Sequence, residues 1–177
     1  TSEITATHPR PLQSKDRAKE LFHVLNEGIL KSRIGLMTSD VFKEQRKANI
    51  EGFRVGRLWV LISTDLMARG IDFKGVKLVI NYDMPTTMIG YIHRVGRTGR
   101  AGRKGNAITF FTNEDKPILK TLGNLLKASG CPVPDWILGL KKAKKEEMRN
   151  WERRPLVRDG IGQRQEADPE FASKMNI

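Results

Sequence analysis

Two short apolar runs decide what this chain of 177 residues can fold into. Leu58 to Ile62 reads Leu-Trp-Val-Leu-Ile, and Val76 to Tyr82 reads Val-Lys-Leu-Val-Ile-Asn-Tyr. A run apolar at nearly every position, rather than every second one, predicts a strand covered on both faces, as in parallel sheets flanked by crossover helices. The first run stops at Ser63-Thr64-Asp65 and the second at Asp83 before Pro85. Polar groups therefore emerge where each strand ends.

The helices between the runs follow from spacing. Ser14 is placed to cap a first helix in which Ala18, Leu21, Phe22 and Leu25 recur at i, i+3, i+4 and i+7, ending near Gly28, with His23 off the stripe. Arg33 to Met37 is a short strand, and Thr38-Ser39-Asp40 supplies turn and cap chemistry. A second helix, Phe42 to Arg54, turns Ile50 and Phe53 inward and ends at Gly56. A third begins after Thr86-Thr87 and carries Ile89 and Ile92 toward the core, and Asn106 to Thr112 is the next strand. Asn113 caps a further helix with Pro117 in its first turn and Ile118, Leu119, Leu122, Leu125 and Leu126 on its inner face, closed by Gly130. Beyond the breaker Cys131-Pro-Val-Pro-Asp135, one helix is expected from Trp136 to about Arg154, and the rest to Ile177 is expected to be loosely ordered.

Four strands alternating with helices define an open parallel α/β sheet, in which ligands meet the loops beyond the carboxyl ends of the strands. The chain divides into an irregular entry segment over 1–12, where Pro9 and Pro11 forbid a helix, an α/β body over 13–140, and a basic tail over 141–177.

Charge narrows the partners. Lys and Arg number 32 against 20 acidic residues, a formal charge of +12, and a polyanion, nucleic acid first, is the expected ligand. The single cysteine, Cys131, leaves no internal disulfide framework, and His8, His23 and His93 lack zinc-site spacing, so no metal is expected. No apolar run approaches the ~18 residues of a membrane span and no signal peptide is evident, so an intracellular protein without a membrane partner is expected.

The most concentrated chemistry lies at His93 to Arg103, His-Arg-Val-Gly-Arg-Thr-Gly-Arg-Ala-Gly-Arg. Arg94, Arg97, Arg100 and Arg103 recur every third residue, with Gly96, Gly99, Gly102 and Gly105 interleaved at the same period. Guanidinium forks match phosphate oxygens with two parallel hydrogen bonds, and glycine lets a large anion approach the backbone. A collagen-like reading fails without a Pro-rich context. The strand that follows, and Met88, Ile89, Tyr91 and Ile92 just upstream, oppose a disordered Arg-Gly tail.

Three motifs now stand in order: Ser63-Thr64-Asp65-Leu66-Met67-Ala68-Arg69-Gly70-Ile71-Asp72, then Asp83-Met84-Pro85, then Tyr91-Ile92-His93-Arg94-Val95-Gly96-Arg97-Thr98-Gly99-Arg100. Together they make the chain from about Gln13 to Leu140 resemble the second RecA-like lobe of DEAD-box RNA helicases. Gly70 to Val76 and Asn81-Tyr82-Asp83 look most like the nucleolar branch that works on small ribosomal subunit precursors.

The resemblance implies roles. Arg97 and Arg100 match the arginine fingers that reach the γ-phosphate of ATP, which with Mg is held mainly by the N-terminal RecA-like lobe. Asp72 matches a ribose contact and Gly70 a position that couples nucleotide to RNA. Thr64, Arg69 and Gly70 match positions on the RNA backbone, Ser14 and Lys15 the tail of a further RNA-contacting motif, and Arg46 the arginine of a Gln-x-x-Arg element. His93 and Arg94 match residues that bridge the lobes. The implied partners are RNA and the N-terminal lobe, in the nucleus or nucleolus, with no oligomer.

Departures accompany the match. The family's lobe opens with an apolar strand before Gln13-Ser14-Lys15, and here Thr7-His8-Pro9-Arg10-Pro11-Leu12 takes that place, leaving the first strand absent or unpaired. Lys43 stands where the Gln of Gln-x-x-Arg is expected. Nothing matches Gly-x-x-x-x-Gly-Lys-Ser/Thr and no apolar strand ends in Asp-Glu, so the chain alone is expected neither to hold ATP tightly nor to hydrolyse it. An alternative is a non-enzymatic RNA-binding or interfering fragment, motivated by Lys141, Lys142, Lys144, Lys145, Arg149, Arg153 and Arg154 against Glu146, Glu147 and Glu152. A dinucleotide oxidoreductase fits poorly, since Gly-x-Gly-x-x-Gly after a first strand is missing.

Overall fold

A computed structural model describes residues 14–28, 30–65 and 76–153. The entry segment, where the first strand is expected to be absent or unpaired, and the end of the basic tail lie outside the described residues. The chain divides into two compact units, with the division between Thr64 and Asp65. The parallel α/β class read from the sequence holds in both, with strands paired two by two among the described residues.

The first unit comprises α1 (Ser14–Glu27), β1 (Ile34–Met37), α2 (Lys43–Arg54) and β2 (Val60–Ser63). β1 and β2 run parallel in the register Ile34↔Val60 to Met37↔Ser63. Ala18, Ile34 and Ile62 are buried, with Leu21, Phe22, Leu25 and Val60 packed against them, so the stripe predicted for α1 is the one that faces the core. At Gly35 a Cβ would lie 2.8 Å from Leu58 Cδ1 and 3.3 Å from Asn49. That bare position lets Asn49 of α2 donate to the Leu36 carbonyl at 3.0 Å.

The second unit comprises β3 (Leu78–Asn81), α3 (Met88–Val95), β4 (Asn106–Thr109), α4 (Lys116–Ala128), α5 (Asp135–Gly139) and α6 (Lys145–Arg153). β3 pairs parallel with β4, Leu78 opposite Asn106 and Asn81 opposite Thr109, and Asn81 donates to the Thr109 hydroxyl at 3.0 Å. Its core is Met84, Tyr91, Ile118, Leu119, Leu122 and Trp151, with Met88, Val95, Leu125, Leu126 and Trp136 packed around it. Gly123 admits α5, since a Cβ there would lie 2.6 Å from Ile137.

Four expectations are corrected. α3 turns Met88, Tyr91 and Val95 inward, whereas Ile89 and Ile92 are 67% and 52% exposed. Nearly every residue of Met-Ile-Gly-Tyr-Ile is apolar, so periodicity alone cannot choose the face, and the large Tyr91 ring takes the buried position. Thr112, not Asn113, caps the turn into α4: its backbone N–H reaches the Asp115 carboxylate at 2.7 Å in a reciprocal capping box. The helix expected over Trp136 to Arg154 is two helices, α5 and α6, and α6 buries Trp151 while its charges stay outside. Finally, the two apolar runs are not covered on both faces, because Leu78 and Ile80 of β3 are about half exposed in a ribbon of two strands and Trp59, just before β2, is more exposed still.

Candidate functional site

In the first unit the candidate residues gather where β1 and β2 end. Thr64 directly follows β2, and its N–H donates to the Met37 carbonyl at the end of β1 (3.3 Å). Arg46, one turn into α2, points its guanidinium back at the β1–α2 loop and donates to the Val41 carbonyl at 3.0 Å and the Ser39 carbonyl at 3.4 Å. That cation closes the loop rather than projecting into solvent. Lys15 of α1 pairs with Asp40 at 2.9 Å, and Lys19, one turn on, binds the other carboxylate oxygen at 2.6 Å. The Lys19 and Lys15 hydrogen bonds hold the Asp40 carboxyl well below the usual carboxylate range, and the hydrogen bond to Asp40 raises the Lys19 ammonium. Ser14 opens α1. Thr38, following β1, is fully buried, and its hydroxyl has no hydrogen-bond partner.

In the second unit Arg94 is the organising cation. Its Nε and Nη2 form a fork on the two Asp65 oxygens at 2.6 and 2.7 Å, while Nη1 donates to the Asp83 carbonyl at 2.7 Å. One guanidinium therefore joins Asp65 to the turn that ends β3. The planar fork makes this possible, and a lysine's compact ammonium could not span all three acceptors at once. His93, its neighbour on α3, is exposed.

The Arg-Gly segment is a built loop. Arg97 Nε donates to the His93 carbonyl at 3.2 Å and Arg100 Nε to the Gly96 carbonyl at 2.5 Å, so both side chains fold back on the last carbonyls of α3. Thr98, buried beneath them, donates its hydroxyl to the Val76 carbonyl. Gly99 (φ 68°) and Gly102 (φ 71°) occupy left-handed conformations that turn the chain, and Ala101 shares that region. Gly105 packs directly onto Thr98 and the Gly99 backbone, where any Cβ would overlap both. The result is a tight loop that carries Arg97, half-buried, and Arg100, exposed. Two backbone-anchored guanidinium groups on so compact a loop suit an anion with several charged oxygens.

Arg69, Gly70 and Asp72 lie outside the described residues. Sequence reasoning missed the partners that hold the rest in place: Asp40 for Lys15, Asp65 for Arg94, and Thr98 with Gly105 for the arginine loop. Among the described residues no group of His, Cys, Asp and Glu could hold a metal ion, and no helix is long and apolar enough to cross a membrane.

The fold and these residues define a class. The helicase conserved C-terminal domain profile matches residues 12–102, and the chain belongs to that family, as a C-terminal RecA-like lobe of the DEAD-box type. It is 50% identical over 151 residues to "Probable ATP-dependent RNA helicase DDX52" of Bos taurus, covering 85% of this chain and 25% of that protein. The chain thus spans about a quarter of the length of the curated relatives it matches. Among solved structures, the C-terminal domain of the DEAD-box protein Dbp5 superposes with a TM-score of 0.55 at 37% identity, covering 67% of each chain. S. cerevisiae Dbp5 bound to RNA and ADP BeF3 superposes with a TM-score of 0.56 at 32% identity, covering 80% of this chain and 37% of that one.

Proposed function

We propose that this chain acts as the second lobe of an ATP-dependent RNA helicase in ribosome biogenesis, within the nucleolus. In this reading Arg97 and Arg100 are the arginine fingers for ATP hydrolysis, and ATP with Mg is held mainly by an N-terminal RecA-like lobe. The observation that carries it is the arginine loop. Both guanidinium groups are anchored through Nε to the end of α3, and the loop beneath them is closed by Thr98 and Gly105. Phosphoryl transfer needs positive charge positioned in advance, because charge shifts onto the leaving oxygen as the terminal phosphate separates.

The remaining residues take supporting roles. Ser14, Lys15, Arg46, Thr64, Arg69 and Gly70 line the RNA backbone, and Gly70 with Asp72 meets the nucleotide. Lys15 reaches RNA by exchanging Asp40 for a phosphate, an exposed ion pair being cheap to break. Arg46 serves RNA indirectly by shaping the β1–α2 loop. His93 and Arg94 couple the lobes, Arg94 by fixing Asp65 and the Asp83 carbonyl rather than by touching nucleotide.

The test is reconstitution. Joined in one polypeptide to an N-terminal lobe that carries a Walker loop and an Asp-Glu-Ala-Asp strand, the chain is expected to give ATP hydrolysis that rises on adding RNA, while the chain alone hydrolyses none. Absence of RNA-stimulated hydrolysis from a folded fusion that binds both ligands would overturn the reading.

A further inference from the structure

The amino ends of β1 and β2 carry a second surface of distinct character, at the opposite end of these strands from Thr38–Asp40 and Thr64. Trp59 precedes β2 and is 60% exposed, and Arg33 precedes β1. The Arg33 guanidinium carbon stands 4.1 Å from the indole centroid, stacked over the ring. Backbone bonds lock the pair, since the Trp59 N–H donates to the Arg33 carbonyl at 2.8 Å and the Val60 N–H shares that acceptor at 3.2 Å.

The flanking turns add charge. Ser32 sits in the left-handed region at φ 59°, a conformation uncommon for a side-chain-bearing residue. Its N–H is taken by the Asn26 side chain at 3.3 Å, so Lys31 and Arg33 are presented on a defined turn. On the other side Gly56, at φ 78°, ends α2 and places Arg57 next to Leu58 and Trp59. Lys31, Arg33 and Arg57 are all exposed, as is Val55 at 58%. Of the carboxylates on the adjoining helices, Glu27 and Glu51 stand in the last turns, Asp16, Glu20 and Glu44 lie earlier, and none lies in the turns themselves.

We infer that this face binds single-stranded RNA, with a base stacked on the open face of the Trp59 indole and the neighbouring phosphates met by Lys31, Arg33 and Arg57. An exposed indole with one face already covered by a guanidinium offers a rigid stacking platform, and three exposed cations around it supply the charge that a nucleic-acid strand neutralises. Stacking on an aromatic ring is indifferent to base identity. The contact is therefore sequence-tolerant and lies apart from the carboxyl-edge residues, so it stands whether or not the helicase reading does.

The test uses the full chain and a short uridine oligomer at low salt, read by tryptophan fluorescence and by binding affinity. RNA is expected to quench emission, and the quenched component is expected to be missing from Trp59→Phe, which keeps a ring but not the indole. Trp59→Ala is expected to weaken uridine-oligomer binding about 5- to 100-fold, with binding of an equally charged abasic oligomer held within about twofold. Trp59→Leu, which keeps apolar bulk without a stacking face, gives the same answer should the alanine variant unfold. The inference is overturned by Trp59 emission that RNA does not change, or by an equal loss on the abasic oligomer. It is also overturned by a glutamate-rich peptide of matched charge that quenches Trp59 as strongly as RNA, which would make the face a protein-docking surface.

Discussion

Arg94 and Asp65, 29 residues apart in sequence, face each other fork to fork at 2.6 and 2.7 Å, and the same guanidinium holds the Asp83 carbonyl. Asp65 is half exposed and Arg94 mostly buried, so the pair is worth more than a surface contact and less than a desolvated one. Arg94→Ala is expected to destabilise the chain by about 1–2 kcal/mol, because it also removes the Arg94 hydrogen bond to the Asp83 carbonyl. Arg94→Lys should recover less than half of that loss, a compact ammonium being unable to serve all three acceptors. Urea unfolding of the two variants measures both.

Gly105 has no room for a methyl group. Gly105→Ala would drive a Cβ into Thr98 and the Gly99 backbone, and neither neighbour can yield without reopening the arginine loop. A loss of about 2–3 kcal/mol is expected. Thr98→Val, which keeps the shape and deletes the hydroxyl bonded to the Val76 carbonyl, should cost about 1–2 kcal/mol. Thermal unfolding of both variants is the check.

The reversed face of α3 gives a clean contrast. Ile89→Ser and Ile92→Ser alter exposed side chains and should move stability by less than about 0.5 kcal/mol each. Tyr91→Ala removes a buried ring from the core of the second unit and should cost about 3–5 kcal/mol. Burial pushes the Tyr91 phenol above its ordinary range, against the pull of its hydrogen bond with Thr109. The ring should therefore stay protonated at alkaline pH where a free tyrosine ionises, as ultraviolet titration would record.

The Lys15–Asp40–Lys19 cluster responds to pH in a defined direction. Asp40 is depressed, so its share of stability is present above the usual carboxylate range and fades as pH falls below it. Lys19 is raised, so its share is present below the usual lysine range and fades as pH climbs above it. Because the three groups are exposed, high salt should erase most of the difference between wild type and Asp40→Asn, and melting temperatures at low and high salt decide it.

What could be read from residues alone depended on whether one pattern excluded its rivals. The faces of α1 and α4 were legible because Ala18, Leu21, Phe22 and Leu25, and Ile118, Leu119 and Leu122, are apolar against polar neighbours at strict helical spacing. α3 was not, its first five residues being apolar almost all round. Thr112 and Asn113 are both good caps, and the reach of Asp115 back to Thr112 decides between them only in three dimensions. Trp59 was read as part of an apolar strand, since hydropathy cannot separate a buried indole from one stacked under Arg33 at the surface. The arginine loop was visible as chemistry, but its support was not: Asp65 lies 29 residues from Arg94, and Val76 lies 22 from Thr98. Periodicity carries no information at such separations.

Arg97 is the residue whose loss separates a nucleotide role of the loop from a structural one. In the polypeptide that joins this chain to an N-terminal lobe, Arg97→Ala is expected to lower kcat for RNA-stimulated ATP hydrolysis by about 10³-fold or more while ATP affinity changes by less than about tenfold. Its unfolding midpoint should stay close to wild type, since the Nε contact to the His93 carbonyl is an exposed hydrogen bond. A variant that hydrolyses ATP at the wild-type rate, folded and RNA-bound, would contradict the assignment of this loop to the terminal phosphate.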